Sequence, residues 1–169
     1  MAKEKELTKA KILIVDDDPS VVSVLTTFLK GDGFTSVHGV QDSRVALAKY
    51  QSFKPDLVIL DLLMPFVDGF TLLEQIKAIA PEQHNVLVLT SKNDRETRIK
   101  ALESGAKEFL SKPFDKEEAL ARIKSLLRAR LRLERLTREN QELEQMVKSL
   151  KSELAEIPSP HPSRKVKKP

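Results

Sequence analysis

The chain has 169 residues, 40% hydrophobic and 32% charged, which suits one core of ordinary size plus an appendage. It contains no cysteine, which excludes disulfides, thiolate metal sites and a cysteine nucleophile; no apolar run approaches the length of a membrane span, and Met1 to Glu6 lack a signal-peptide core, so a cytoplasmic protein is expected. The net charge of +4 is uneven: residues 1–115 hold 15 basic and 17 acidic side chains, whereas 116–169 hold 14 and 8, so a nucleic-acid contact would have to lie in the second part.

Residues 1–10 are charged and read as a flexible leader. The apolar run Ile12-Leu13-Ile14-Val15 then ends in Asp16-Asp17-Asp18. Asp18-Pro19 supplies a helix N-cap and a proline at the first helical position, and Val21, Val22, Val24, Leu25, Phe28 and Leu29 follow at helical spacing as far as Gly31-Asp32-Gly33. A weaker strand near Thr35 to Gly39 leads into a helix capped by Asp42. The third run, Leu57-Val58-Ile59-Leu60, ends in Asp61 and precedes a helix from about Asp68 to Ile79. The fourth, Val86-Leu87-Val88-Leu89, ends in Thr90, and a helix from about Asn93 to Ser104 follows. Finally Phe109-Leu110 leads to Lys112-Pro113.

Continuous apolar runs separated by helical segments are the pattern of strands buried on both faces of a parallel sheet, hence an α/β fold. The carboxyl ends of such strands form the functional edge. Asp16, Asp17, Asp61, Thr90 and Lys112 are therefore expected in one crevice. Three carboxylates held together repel unless a cation neutralises them, and hard oxygen ligands suit magnesium or manganese better than zinc or copper.

Asp115-Lys116-Glu117-Glu118 has the capping-box pattern and opens a helical stretch without proline or glycine until Pro158. Taking Leu126 as heptad position a places Leu126, Leu133, Asn140, Val147 and Leu154 at a, and Ala129, Leu136, Leu143, Leu150 and Ile157 at d. A coiled coil over 126–157 is predicted, about 48 Å long at 1.5 Å per residue. The single Asn140 in an apolar seam favours a parallel homodimer, although Glu139 would then face Glu144 of the partner helix. Residues 158–169 form a basic, proline-rich tail expected to be disordered.

Val15-Asp16-Asp17, Asp61 with Met64-Pro65 and Asp68-Gly69, Thr90, and Phe109 with Lys112-Pro113 stand in order at the predicted strand ends. On these residues the segment from Lys11 to about Leu127 resembles a receiver domain of the two-component response-regulator family. The resemblance implies a flavodoxin-like five-stranded parallel sheet in the order 2-1-3-4-5, with helices on both faces and the last helix extended as the coiled coil. It implies a receiver over 11–125 that accepts a phosphoryl group on Asp61 from a sensor histidine kinase or phosphotransfer protein, and then acts on a downstream protein effector. Direct cation ligands would be Asp17, Asp61 and the Leu63 carbonyl, with Asp16 acting through water. Lys112 and Thr90 would contact the phosphoryl oxygens, Thr90 and Phe109 would form the switch, and Lys112-Pro113 would be cis. The expected product is a signalling switch, whose only chemistry is self-phosphorylation from a phosphodonor and autodephosphorylation. Two departures leave the core chemistry untouched and concern the loop after Asp61 and the access of water: Phe66 and Val67 stand where a glycine and an apolar residue often follow Met64-Pro65, and Ser91 stands where alanine is frequent.

Two other functions compete. Asp16 to Ser20 loosely mimics the nucleophile loop of a haloacid-dehalogenase-like phosphatase, which would also need an acidic pair on a strand end after the lysine; Asp115 to Glu118 reads instead as a helix start. A basic-zipper-like nucleic-acid binder is suggested by Arg122, Lys124, Arg128, Arg130, Arg132, Arg135 and Arg138. A DNA-reading segment precedes the apolar seam, however, and here Leu126, Leu133 and Leu136 lie within the basic stretch, which favours a solvated charged face. Asp18 is expected to cap a helix, and His38, His84 and His161 to lie on the surface.

Overall fold

The computed structural model describes residues 6–81, 84–91 and 95–156. Strands β1 (Lys11–Val15), β2 (Ser36–Val40), β3 (Leu57–Asp61), β4 (Val86–Thr90) and β5 (Glu108–Ser111) form one parallel sheet in the order β2-β1-β3-β4-β5. The helices are α1 (Pro19–Gly31), α2 (Ser43–Phe53), α3 (Gly69–Ile79), α4 (Arg95–Glu103) and α5 (Lys116–Glu156). This is the expected flavodoxin-like topology.

The sheet divides the core because successive strand residues point to opposite faces. Ile12, Ile14, Leu57, Ile59, Leu87 and Leu89 face one layer with Leu25 and Leu29 of α1 and Ala119, Ile123 and Leu127 of α5. Leu13, Val15, Val58, Leu60, Val86 and Val88 face the other with Ala46, Leu72, Leu73, Ile76 and Ala101. β3 and β4 are buried throughout, which is why both read as uninterrupted apolar runs. Each such side chain contributes about 1.5–3 kcal/mol by leaving water.

Short polar links aim the helices. Asp18 accepts the Ser20 N–H at 2.8 Å ahead of Pro19, Asp42 accepts that of Arg44 at 3.0 Å, and Asp68 accepts that of Thr71 at 3.0 Å. Each satisfies a donor that the first helical turn leaves over. α1 ends at Asp32, and Gly33 adopts φ 96, a conformation costly for residues with a Cβ.

Three expectations change. Leu7, placed in the flexible leader, is buried in the α1/α5 core layer, and the Thr35 N–H bonds the Thr8 carbonyl at 3.2 Å. His84, placed on the surface, is buried, with Nδ1 2.7 Å from the Pro81 carbonyl oxygen. The boundary at residue 125 also moves. Leu127 is buried and Leu126 and Leu131 are partly buried against the same layer, Arg130 pairs with Asp56 at 3.3 Å, and the chain divides into compact units after Leu131. The first a position of the seam thus serves the receiver-like core, and the exposed leucines of the stripe start at Leu133. His161, Ile157 and the tail 158–169 lie outside the described residues.

Candidate functional site

Parallel pairing brings four scattered residues to one edge. Val15 pairs with Leu60, Asp61 with Leu89, and Thr90 with Ser111, so Asp16, Asp61, Thr90 and Lys112 leave the sheet at the same end. Asp16 is anchored by its own N–H to the Val40 carbonyl at 3.1 Å, and Lys112 by its N–H to the Thr90 carbonyl at 2.8 Å. The Lys112-Pro113 peptide is cis, as expected.

The ammonium of Lys112 bridges two buried acids. It donates to Asp16 Oδ2 at 2.7 Å and stands 3.3 Å from Asp61 Oδ1. Asp16 is fully buried and its Oδ1 accepts the Asp18 N–H at 3.0 Å. Asp61 is 4% exposed, and its Oδ1 is within ion-pair range of Lys112 yet has no aligned hydrogen-bond donor among the described residues. Asp17 is exposed at the rim, and carboxylate oxygens of Asp16, Asp17 and Asp61 lie within 4.8 Å of one another. Asp18 instead caps α1, as expected.

Burial pushes the Asp61 carboxyl upward; the Lys112 charge opposes this, and the Asp16 and Asp17 charges reinforce it, leaving a raised value. Burial alone would lower the Lys112 ammonium, but its hydrogen bond to Asp16 and the charge of Asp61 outweigh that effect and raise it. Lysine therefore stays charged. Three carboxylates against one ammonium leave negative charge uncompensated. The orphaned Asp61 oxygen and an all-oxygen donor set fit a hard divalent cation.

The other predicted residues surround this cluster in different ways. Thr90 is buried at the end of β4. Phe109 is half-buried, with the Arg98 guanidinium 3.9 Å above its ring centre. Leu63 is 52% exposed, two residues beyond Asp61. Phe66 adopts φ 70, the left-handed region that costs an L-residue roughly 1–2 kcal/mol, so the departure from glycine falls at a position with a conformational reason for glycine. Sequence reading missed Ser43, which is buried at the start of α2 and bonded to the loop after Asp61. Its only local signal was its place beside the Asp42 cap.

A family model described as the response regulator receiver domain matches residues 12–124. The DNA-binding response regulator MtrA of Mycolicibacterium smegmatis is 39% identical over 121 residues, covering 71% of this chain and 51% of that protein. The DNA-binding dual master transcriptional regulator RpaA of Synechocystis sp. is 35% identical over 143 residues, covering 80% and 56%. The chain spans about half the length of the curated relatives it matches. Among solved structures, a putative response regulator from Chloroflexus aurantiacus aligns with a TM-score of 0.65 at 33% identity, over 70% of this chain and 98% of that one. The CheX-CheY-BeF3-Mg complex from Borrelia burgdorferi aligns with a TM-score of 0.66 at 31% identity, over 69% and 88%.

Proposed function

Because this chain belongs to the response regulator receiver domain family, we propose that Asp61 is its phosphoacceptor, taking a phosphoryl group from the phosphohistidine of a sensor kinase or phosphotransfer protein. The observation that carries this reading is the Asp61 carboxylate itself: buried, beside a charged lysine, with one oxygen lacking a donor. That oxygen attacks phosphorus as the phosphorus–nitrogen bond to the donor imidazole breaks, giving an acyl phosphate. Such transfer is catalysed mainly by positioning and charge neutralisation. Asp17, Asp61 and the Leu63 carbonyl would hold magnesium or manganese, with Asp16 acting through water, and the ion supplies positive charge against the phosphoryl oxygens. Lys112 gives its ammonium to the same oxygens, and the Thr90 hydroxyl donates a hydrogen bond to them. Thr90 and the half-buried Phe109 form the switch that reports the modified state.

The protein is thus a signalling switch and not a turnover enzyme. Asp18 is engaged as a helix cap and Lys112-Pro113 leads into α5, which supports the receiver reading over a haloacid-dehalogenase-like phosphatase. Arg122 pairs with Glu118, Lys124 with Asp32, Arg130 with Asp56 and Arg135 with Glu139, which supports a solvated charged face over a basic-zipper-like surface. Among the described residues no helix is long and apolar enough to cross a membrane; cytoplasmic action beside the kinase belongs to this proposal. Output passes to a protein effector through a homodimer formed by the stripe of α5 beyond Leu131.

Incubation with acetyl phosphate and magnesium tests the phosphoacceptor. One label per chain is expected, lost in folded Asp61→Asn and in the absence of any divalent ion. Undiminished labelling of Asp61→Asn overturns the assignment.

A further inference from the structure

The loop after Asp61 contains a strained turn held from outside. Phe66 has φ 70, and the Val67 N–H bonds the Pro65 carbonyl at 3.0 Å, two residues back. A three-residue turn with positive φ at its centre is the rare form of γ-turn, which persists only where its surroundings impose it. Ser43, the first residue of α2, imposes it here. Its hydroxyl donates to the Pro65 carbonyl at 2.6 Å and accepts the Val67 N–H at 3.1 Å, so one buried side chain bonds both ends of the turn.

The neighbouring residue acts on the same turn through its side chain. Asp42 fixes the Arg44 guanidinium through contacts of 2.9 and 2.8 Å, and that guanidinium stacks 4.2 Å from the centre of the Phe66 ring. On its far side the loop closes onto Asp61. The Gly69 N–H bonds the Leu62 carbonyl at 3.0 Å, and a Cβ at Gly69 would collide with the Asp61 carbonyl oxygen and stand 2.6 Å from Leu62 Cα. Leu62 and Leu63 are therefore confined between the Gly69 closure and the turn that Ser43 holds.

We infer that Ser43 is a positioning residue for the divalent cation: by fixing the Pro65-Phe66-Val67 turn it sets the backbone of Leu63 and Asp61, and so the affinity of the site. This rests on the assignment of Asp17, Asp61 and the Leu63 carbonyl as ligands. The residue touches neither cation nor phosphoryl group. It acts through the loop.

Calorimetric titration of magnesium into the full chain, with thermal melts alongside, tests it. Ser43→Ala is expected to bind magnesium about 5-fold more weakly, the scale of one net hydrogen bond. Ser43→Thr, which keeps the hydroxyl, should recover most of the loss, and saturating magnesium should return the acetyl-phosphate labelling rate of Ser43→Ala to that of the parent. A merely structural serine would lower the melting temperature and leave the affinity unchanged. Should Ser43→Ala fail to fold, Arg44→Ala, an exposed change, is expected to weaken binding about 2-fold, at the low end of exposed cation–π strength. Parent affinity in folded Ser43→Ala, or in Arg44→Ala where that variant must serve, overturns the inference, as does a folded Ser43→Thr as weak as the alanine variant. A parent that binds no magnesium overturns the ligand assignment and this inference with it.

Discussion

Within α5, Ile123 and Leu127 are each 1% exposed, whereas Leu143 and Leu154 are 58% and 66% exposed. The residue types and helical geometry are the same in the two halves. What differs is whether this chain supplies a cover: the first half closes the core beneath β1, β3 and β4, whereas the leucines of the second are exposed. The first half belongs to the intramolecular stability of the fold, while the second would carry the homodimer proposed above, whose formation depends on concentration.

The sharpest way to break that comparison is to remove a leucine from each half. Leu127→Ala should lower unfolding stability by about 2–5 kcal/mol at any protein concentration, the range for emptying a packed site. Leu143→Ala should leave dilute, monomeric protein unchanged and weaken dimerisation. Denaturant melts at two concentrations separate the two outcomes, and equal, concentration-independent losses would refute the division.

Association itself provides the next test. Light scattering should find a dimer for the full chain and a monomer for a truncation after Leu131, a position chosen so that Leu127, Arg130 and Leu131 keep their core contacts. Asn140→Cys should form a disulfide across the dimer, because a parallel register places the two positions opposite each other. A dimer that does not cross-link there has another register. The opposing Glu139 and Glu144 contribute repulsion under about 1 kcal/mol when exposed, less than the 1–3 kcal/mol of an unpaired buried asparagine.

A smaller effect belongs to the receiver unit alone. The hydrogen bond from the Thr71 N–H holds the Asp68 carboxyl below its ordinary value of 3.8. A carboxyl lowered in the folded state contributes stability above its unfolded value and loses it as the pH falls through the folded one. Asp68→Ala should therefore cost about 1 kcal/mol at neutral pH, with the difference from the parent shrinking in acid below about pH 4. The smallest effect belongs to the seam half: in dilute, monomeric protein the exposed pair of Arg135 and Glu139, 2.7 Å apart, should lose only about 0.3–0.5 kcal/mol in Glu139→Ala, a loss that added salt removes.

Most of the site was legible from the chain alone because it depends on local pattern. An apolar run buried on both faces announces its strand, and the first polar residue after it lies at the sheet's carboxyl edge, so Asp16, Asp61 and Thr90 could be placed together before any contact was known. At β5 the rule points to Ser111, and Lys112 lies one residue further on, where its resemblance to the family placed it. The caps at Asp18, Asp42 and Asp68 are equally local, each bonding an N–H two or three residues ahead.

Tertiary structure alone decided the rest, for a common physical reason: the deciding partner is distant in sequence. Leu126 and Leu127 are adjacent and equally apolar, and a 3.6-residue period shows that a helix has apolar faces without saying how far the sheet beneath it extends. The cover ends near Leu131 because the core layer ends there. Leu7 in a charged leader and His84 in a loop are buried by elements that their neighbours do not predict. Ser43 is an ordinary helix-start serine until the fold brings Pro65 and Val67 to its hydroxyl, 22 and 24 residues away. Periodicity determines which residues need cover and which strand ends carry chemistry; only three-dimensional packing determines what provides the cover, and which distant side chain holds a strained loop in place.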